Sequence, residues 1–328
     1  MQDLTSLIFE DGEFQASVAR HVLSYLSSRQ KTGYTTTGLY YALHRAHEPK
    51  GLVTIVHGFS EGMYKYRELT YYLLHLGYST LAYEHRGHAR SVRVTDEGTA
   101  VHIDSFDTYV EDLKSISDEI ASQEKDIPHF LFGHSMGGCI ATLFAERNPS
   151  YYDRLVLSSP MLELKIAHPA KALATPVASL MCRMGKDEDS LSVFPEKESF
   201  ESSNSTSLER WQYVKDVRDN NILLRMSKPT WSWLKAALAA SKEARENAGQ
   251  IKVPTLIFLA QDDGLVDNDA AIQVQKRNSL VTLIQTRGTK HEIMSSPKAV
   301  LVDYYKAMDD FLSTAAAPST SPHCPDRS

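Results

Sequence analysis

Cysteine is scarce: the 328 residues hold three, Cys139, Cys182 and Cys324, far apart and without a C-x-x-C pair. A scattered, odd-numbered set builds neither a disulfide framework nor a zinc site, so two buried thiols and one in the tail are expected. Long apolar runs are missing as well. No stretch approaches the roughly 18 residues that a membrane span needs. Residues 1–13 are polar and acidic, without the basic start and apolar core of a signal peptide. A cytoplasmic location is expected, with peripheral contact at the inner face of the cell membrane left open. Excess positive charge is also absent. The formal net charge is −6, which speaks against a nucleic-acid partner. What remains, 42% hydrophobic and 23% charged residues, is the composition of a globular protein with a large core.

Residues 14–29 place Val18, Val22, Leu23 and Leu26 at helical spacing and read as an amphipathic helix. Residues 35–44, rich in Thr and Tyr, read as a strand. Short apolar runs follow at 52–56, 79–83, 130–132, 155–157, 255–260 and 280–285. Most end in Gly, Ser, His or Asp. Helical patterns separate most of them, clearest at 69–76, 106–123, 140–148 and 297–312. Buried strands alternating with helices predict an α/β fold with a mostly parallel, doubly wound sheet. Ligands of such sheets bind at the carboxyl ends of the strands, where the polar residues fall. The alternation breaks between 161 and 249, which holds helical patterns, all three Trp and the polar stretches 185–190 and 199–207. The expected organisation is a first part of the core at 1–160, a helical cap at 161–249, a second part of the core at 250–314 and a disordered tail at 315–328.

The chemistry centres on Gly133-His134-Ser135-Met136-Gly137-Gly138, a G-x-S-x-G between an apolar strand and a helix. That context is the nucleophile elbow of the α/β-hydrolase fold. Gly133 and Gly137 let the backbone pack closely while the Ser135 oxygen stands exposed. A serine hydroxyl needs a base, and the fold's chain order is Ser, acid, His. His168 comes before any candidate acid strand and His323 lies in the tail, which leaves His291. The run 255–260 leads into Asp262, Asp263, Asp267 and Asp269. Asp263 is the preferred acid, with Asp262 and Asp267 as alternatives. The oxyanion donors expected are the N–H groups of Met136, after the nucleophile, and Phe59, in the turn after an earlier strand. His57 reads as structural. No metal or organic cofactor is expected.

Within 161–249, apolar residues recur at helical spacing (Leu173, Val177, Leu180 and Met184, then Trp231, Trp233, Leu234 and Leu238). They suit either the cap's own core or an acyl-chain slot. Lys186, Arg210, Lys215 and Arg225 are candidates for a polar rim.

Several segments together resemble the bacterial lysophospholipases and monoacylglycerol lipases of the α/β-hydrolase superfamily. They are His57-Gly58-Phe59-Ser60-Glu61 with Tyr66, Leu76-Gly77-Tyr78, Glu84-His85-Arg86-Gly87-His88 with Ser91, and Phe106-Asp107 through Asp112-Leu113. The elbow, Ser159-Pro160-Met161 and Pro229-Thr230 with Trp233-Leu234 complete the set. The likeness covers roughly residues 51–312. It implies a fatty-acyl monoester substrate, a single-chain lipid, and supports Ser135, Asp263 and His291. Glu84 stands where the family usually has Asp, and Ala89 where it has Gly, which puts that turn in doubt. Other acyl enzymes of the same fold (a short-chain carboxylesterase, thioesterase or aminopeptidase) remain alternatives, as does a binding protein without catalysis.

Overall fold

The computed structural model describes residues 3–95, 98–191 and 199–314. One sheet of eight strands organises it, built from β1 (Gln30–Tyr34), β2 (Tyr40–His44), β3 (Leu52–Val56), β4 (Ser79–Tyr83), β6 (His129–His134), β7 (Arg154–Ser158), β9 (Thr255–Ala260) and β10 (Val281–Thr286). A separate ladder pairs β5 (Ala100–Val101) with β8 (Lys228–Pro229). The order is β1-β2-β4-β3-β6-β7-β9-β10. β2 runs antiparallel to β1 and β4, and the remaining neighbours are parallel.

Successive strand residues face opposite sides of the sheet, and here each side has its own core. Leu52, Val56, Leu131 and Ile257 pack on one side, against α5 (Phe106–Glu119), α6 (Met136–Arg147) and α10 (Asn268–Arg277). Val53, Ile55, Phe130, Phe132, Leu256 and Phe258 pack on the other, against α4 (Arg67–His75) and α11 (Lys298–Ser313). The N-terminal helices α1 (Leu4–Leu7), α2 (Phe14–Ser17) and α3 (Leu23–Ser27) join that second side. Burial on both faces explains why these strands are apolar runs rather than alternations.

Three features depart from the sequence reading. Residues 35–44 are not one strand. The chain turns there, with Thr35 N donating to Leu39 O at 2.9 Å and Gly38 at φ +81°, so β1 and β2 form a hairpin. Thr-rich chain has strand propensity, but the glycine takes the left-handed value that a turn requires. Next, the segment 161–249 carries α7 (Ala170–Arg183), α8 (Leu208–Asp219) and α9 (Trp231–Glu246), yet it also supplies β8. Two residues ending in Pro are too short to leave a strand signature. Finally, Cys139 is buried but Cys182 is only half-buried, because α7 buries Ala178 and turns most other side chains outward. Residues 315–328, expected to be a disordered tail and including His323 and Cys324, lie outside the described residues.

Candidate active site

Ser135 occupies the single residue between the end of β6 and the start of α6, at φ +53°, ψ −119°. This is a costly region for a residue with a Cβ, and the surroundings hold it there. Ser135 N donates to Ser158 O at 3.2 Å, and its carbonyl accepts from Met161 N at 2.8 Å and Gly138 N at 2.9 Å. A Cβ on Gly133 would stand 2.7 Å from Gly137 O, and one on Gly137 would stand 2.1 Å from Val56 O. Neither position tolerates a side chain. α6 therefore begins at Met136, earlier than glycine-poor helix propensity suggests.

His291 follows β10 in a loop and is buried. Its Nε2 lies 2.9 Å from Ser135 Oγ. Its Nδ1 lies 2.8 Å from Asp263 Oδ2 and 3.0 Å from Oδ1. A carboxylate only accepts, so Nδ1 carries the hydrogen and Nε2 is free to accept from the serine hydroxyl. Asp263 Oδ1 also accepts Leu265 N at 2.9 Å and Val266 N at 3.0 Å. Burial would raise this carboxyl. The His291 hydrogen bond and charge, with the two N–H donors, outweigh burial and hold it below the ordinary carboxylate range. The other aspartates stand apart from the imidazole. Asp262 is exposed, and Asp267 caps α10 by accepting from Asp269 N.

The turn after β3 abuts this corner, because Gly137 packs on Val56 O and His57 O. Phe59 lies in that turn. Met136, as first residue of α6, has an N–H without an intrahelical acceptor. Both ring nitrogens of His57 are engaged by the backbone: Nδ1 lies 2.7 Å from Gly58 O, and Nε2 accepts from His85 N at 3.0 Å. Burial holds His57 and His85 below the usual histidine range and brings His88 to about 3. The turn carrying Glu84 and Ala89 is well formed. Glu84 accepts from Arg90 N at 2.9 Å and Arg90 Nη2 at 2.6 Å. Ala89 adopts φ +44°, the left-handed value that a glycine would take without strain.

Sequence reasoning missed a largely buried ionic group beside these residues. The Lys65 ammonium contacts Glu61 and lies 2.8 Å from Glu292 Oε1. Glu61 Oε2 accepts Gly58 N at 2.7 Å and Tyr66 Oη at 2.6 Å. The Glu61/Lys65 spacing of four, set within an aromatic stretch, was the available signal.

Ser135, His291 and Phe59 border a cavity of about 1240 Å³. Its apolar wall includes Leu164, Leu173, Val177, Trp233, Leu234 and Val266. Lys215 and Arg225 line it as the polar-rim reading expects, but Arg210 does not. Arg210 is buried in an ion cluster, 2.8 Å from Glu68 and 2.7 Å from Asp11, where it ties α8 to α4 and the N-terminal segment. Lys186 is exposed and not among the cavity's described lining residues. Among the described residues, His102, Asp187 and Glu188 form the one group with metal-ligand atoms within 4.8 Å of one another. No helix among them is long and apolar enough to cross a membrane.

A family model described as serine aminopeptidase, S33, matches residues 47–298. Lysophospholipase L2 of Escherichia coli K12 is 27% identical over 303 residues, 88% of each chain. Human monoglyceride lipase is 27% identical over 283 residues, 84% of this chain and 86% of its own. Among solved structures, a monoacylglycerol lipase from Paleococcus ferrophilus has a TM-score of 0.66 at 23% identity, covering 85% of this chain and 99% of its own. A carboxyl esterase from Bacillus coagulans has 0.72 at 17%, covering 87% and 98%. At such identities the structural likeness carries the fold alone, that of the α/β-hydrolases.

Proposed function

The chain belongs to the serine aminopeptidase S33 family of α/β-hydrolases, and on that premise we propose that it is a serine hydrolase cleaving the fatty-acyl ester of a single-chain lipid, a lysophospholipid or monoacylglycerol. One observation carries the reading. Ser135, His291 and Asp263 are hydrogen-bonded in series where they open onto a largely apolar cavity, one larger than the roughly 300–1,000 Å³ of ordinary small-molecule sites.

Ser135 Oγ attacks the ester carbonyl as His291 Nε2 takes its proton. Asp263 orients the imidazole and balances its charge. The N–H groups of Phe59 and Met136 hold the oxyanion. His291 then returns the proton to the leaving glycerol oxygen. Water, deprotonated by the same imidazole, clears the acyl-enzyme and releases the fatty acid. The segment 161–249 acts as a cap that walls the acyl chain.

The cavity's charges favour one head group. Among the described lining residues, Lys65, Lys165, Lys215, Arg218 and Arg225 face three carboxylates, Glu61, Asp219 and Glu292. Every one of those carboxylates pairs with a lining cation. Lys165 and Arg225, whose hydrogen bonds among the described residues go to the backbone carbonyls of Asp263 and Asp219, offer positive charge to a phosphodiester, which favours a lysophospholipid. On the outside of α7, Leu173, Val177, Leu180 and Met184 form an exposed stripe. Leu173 and Val177 also line the cavity. This stripe is the surface that meets the lipid, making the protein a peripheral visitor to membranes or micelles.

The test is a panel of lysophospholipids, monoacylglycerols, diacyl phospholipids, aminoacyl anilides and p-nitrophenyl esters of increasing chain length. Four further methylenes, at up to about 0.8 kcal/mol each, should raise kcat/KM at least about tenfold. Ser135→Ala should retain under a few per cent of turnover. A profile peaking at acetate, or equal rates on diacyl lipids, would sink the lipid reading while leaving the hydrolase.

A further inference from the structure

Glu61, Lys65 and Glu292, on the cavity wall, form a largely buried ion triplet that the proposed chemistry does not use. The Lys65 ammonium lies between the two carboxylates. Glu61 belongs to the turn after β3 and also accepts Gly58 N, next to Phe59. Glu292 directly follows His291, and its Oε2 accepts Ser205 Oγ at 2.8 Å. His134 closes the circuit. It precedes Ser135, its ring centroid lies 5.1 Å from that of His291, and its Nε2 is 3.6 Å from Glu61 Oε1.

The charge of this circuit can be read from its hydrogen bonds. His134 Nδ1 lies 3.0 Å from Ser158 O. A carbonyl only accepts, so Nδ1 holds the hydrogen and Nε2 is bare. Burial lowers the imidazole to about 4 and keeps it neutral. Burial also opposes ionisation of Glu61 and Glu292, but the Lys65 charge overrides it and holds both below the ordinary range. Two carboxylates and one ammonium leave a surplus of one negative charge beside the His291 ring.

We propose that Lys65 and Glu292 are positioning residues for the base: Lys65 pins the His291 loop to the turn bearing Phe59, and the triplet's surplus negative charge favours the imidazolium that His291 becomes when it takes the serine proton. This rests on the catalytic reading of Ser135 and His291. The groups facing that imidazole are Asp263 at Nδ1, Ser135 at Nε2 and His134 across the ring. Lys290 and Glu292 flank it in the chain. Lys165 stands behind Asp263, donating to its carbonyl at 2.6 Å. Among these, Glu292 offers a charge that can be removed with little change of shape.

Glu292→Gln keeps one oxygen to accept from Lys65, turns its NH₂ to donate to the Ser205 hydroxyl oxygen, and deletes the charge. With less negative charge nearby, the imidazolium formed as Ser135 attacks is less stabilised, so kcat on p-nitrophenyl butyrate should fall about threefold or more while KM stays within about twofold. Lys65→Met removes the strut, and kcat should fall at least about tenfold while KM stays within about twofold; Lys65→Arg should restore most of it. Far-UV circular dichroism and melting temperature check folding. If Lys65→Met does not fold, the kinetics of the isosteric Glu292→Gln decide. A Glu292→Gln kcat within about 1.5-fold of wild type would overturn the charge assignment. A Lys65→Met kcat within twofold of wild type would overturn the strut. Failure of a fluorophosphonate to label Ser135 in the wild type would instead remove the catalytic reading itself.

Discussion

Replacing Asp263 by Asn tests the proposed chemistry with one exchanged atom. Asp263 Oδ1 accepts the N–H groups of Leu265 and Val266 at 2.9 and 3.0 Å. An asparagine amide must keep its oxygen there, because an NH₂ group would face two donors. Its nitrogen then takes the Oδ2 position, 2.8 Å from His291 Nδ1. Two donors cannot share that space, so His291 shifts its hydrogen from Nδ1 to Nε2. Nε2 then has no lone pair for the Ser135 proton. The equivalent tautomer error costs about 10⁴ in kcat in the serine-protease case, or roughly 5 kcal/mol of transition-state stabilisation, and a similar loss is expected here. Asp262→Asn changes an exposed side chain and should stay within about twofold. Asp267→Asn keeps an N-cap of equal quality and should stay within about threefold. The assay is kcat/KM on a soluble p-nitrophenyl ester, with the rate of fluorophosphonate labelling and the melting temperature measured beside it. If Asp263→Asn keeps more than about 1% of wild-type activity, or if all three variants lose activity equally, the orientation argument fails.

Two further perturbations have signs set by the structure. Both carboxyl oxygens of Glu146, on α6, are buried without a hydrogen-bond partner. Burial, aided by Glu243, pushes this carboxyl up to about 8. The unfolded chain ionises above about 4.5, so stability is complete below that pH and falls as pH rises toward 8. At pH 7 the loss spans two and a half units at about 1.4 kcal/mol each, about 3.5 kcal/mol. Glu146→Met should therefore raise the melting temperature more at pH 8 than at pH 5, and an equal gain at both would refute the linkage. On α7, Leu180 is 55% exposed within the apolar stripe. Leu180→Asp should weaken co-sedimentation with lysolipid-containing vesicles several-fold while leaving turnover of p-nitrophenyl butyrate unchanged. Unaltered vesicle binding would show that the stripe does not meet lipid.

Short-range information was legible in the sequence. The elbow, with a strand, a strained residue and a helix within a dozen positions, is recognisable because each of its requirements is local. The parallel strands were visible because burial on both faces forces apolar runs. The boundaries of β3, β4 and β9 follow their runs residue for residue. Ser135 could be singled out by the elbow, and His291 by chain order and elimination. Contacts between distant residues were beyond that reading. Ser135 and His291 stand 156 positions apart, and only the tertiary structure brings them within hydrogen-bond reach. Sequence order left Asp262 and Asp267 open beside Asp263, since three carboxylates in one turn have the same composition. Their separation came from which one the β9 turn aims at the β10 loop. Arg210 read as a rim cation and proved to be buried against Glu68 and Asp11, residues 142 and 199 positions away. Lys65 gave only the faint signal of its spacing from Glu61, because its other partner, Glu292, lies at the far end of the chain. Local pattern determined the elements and the elbow, whereas three-dimensional packing decided which charges met, because electrostatic pairing depends on distance in space and not on separation along the chain.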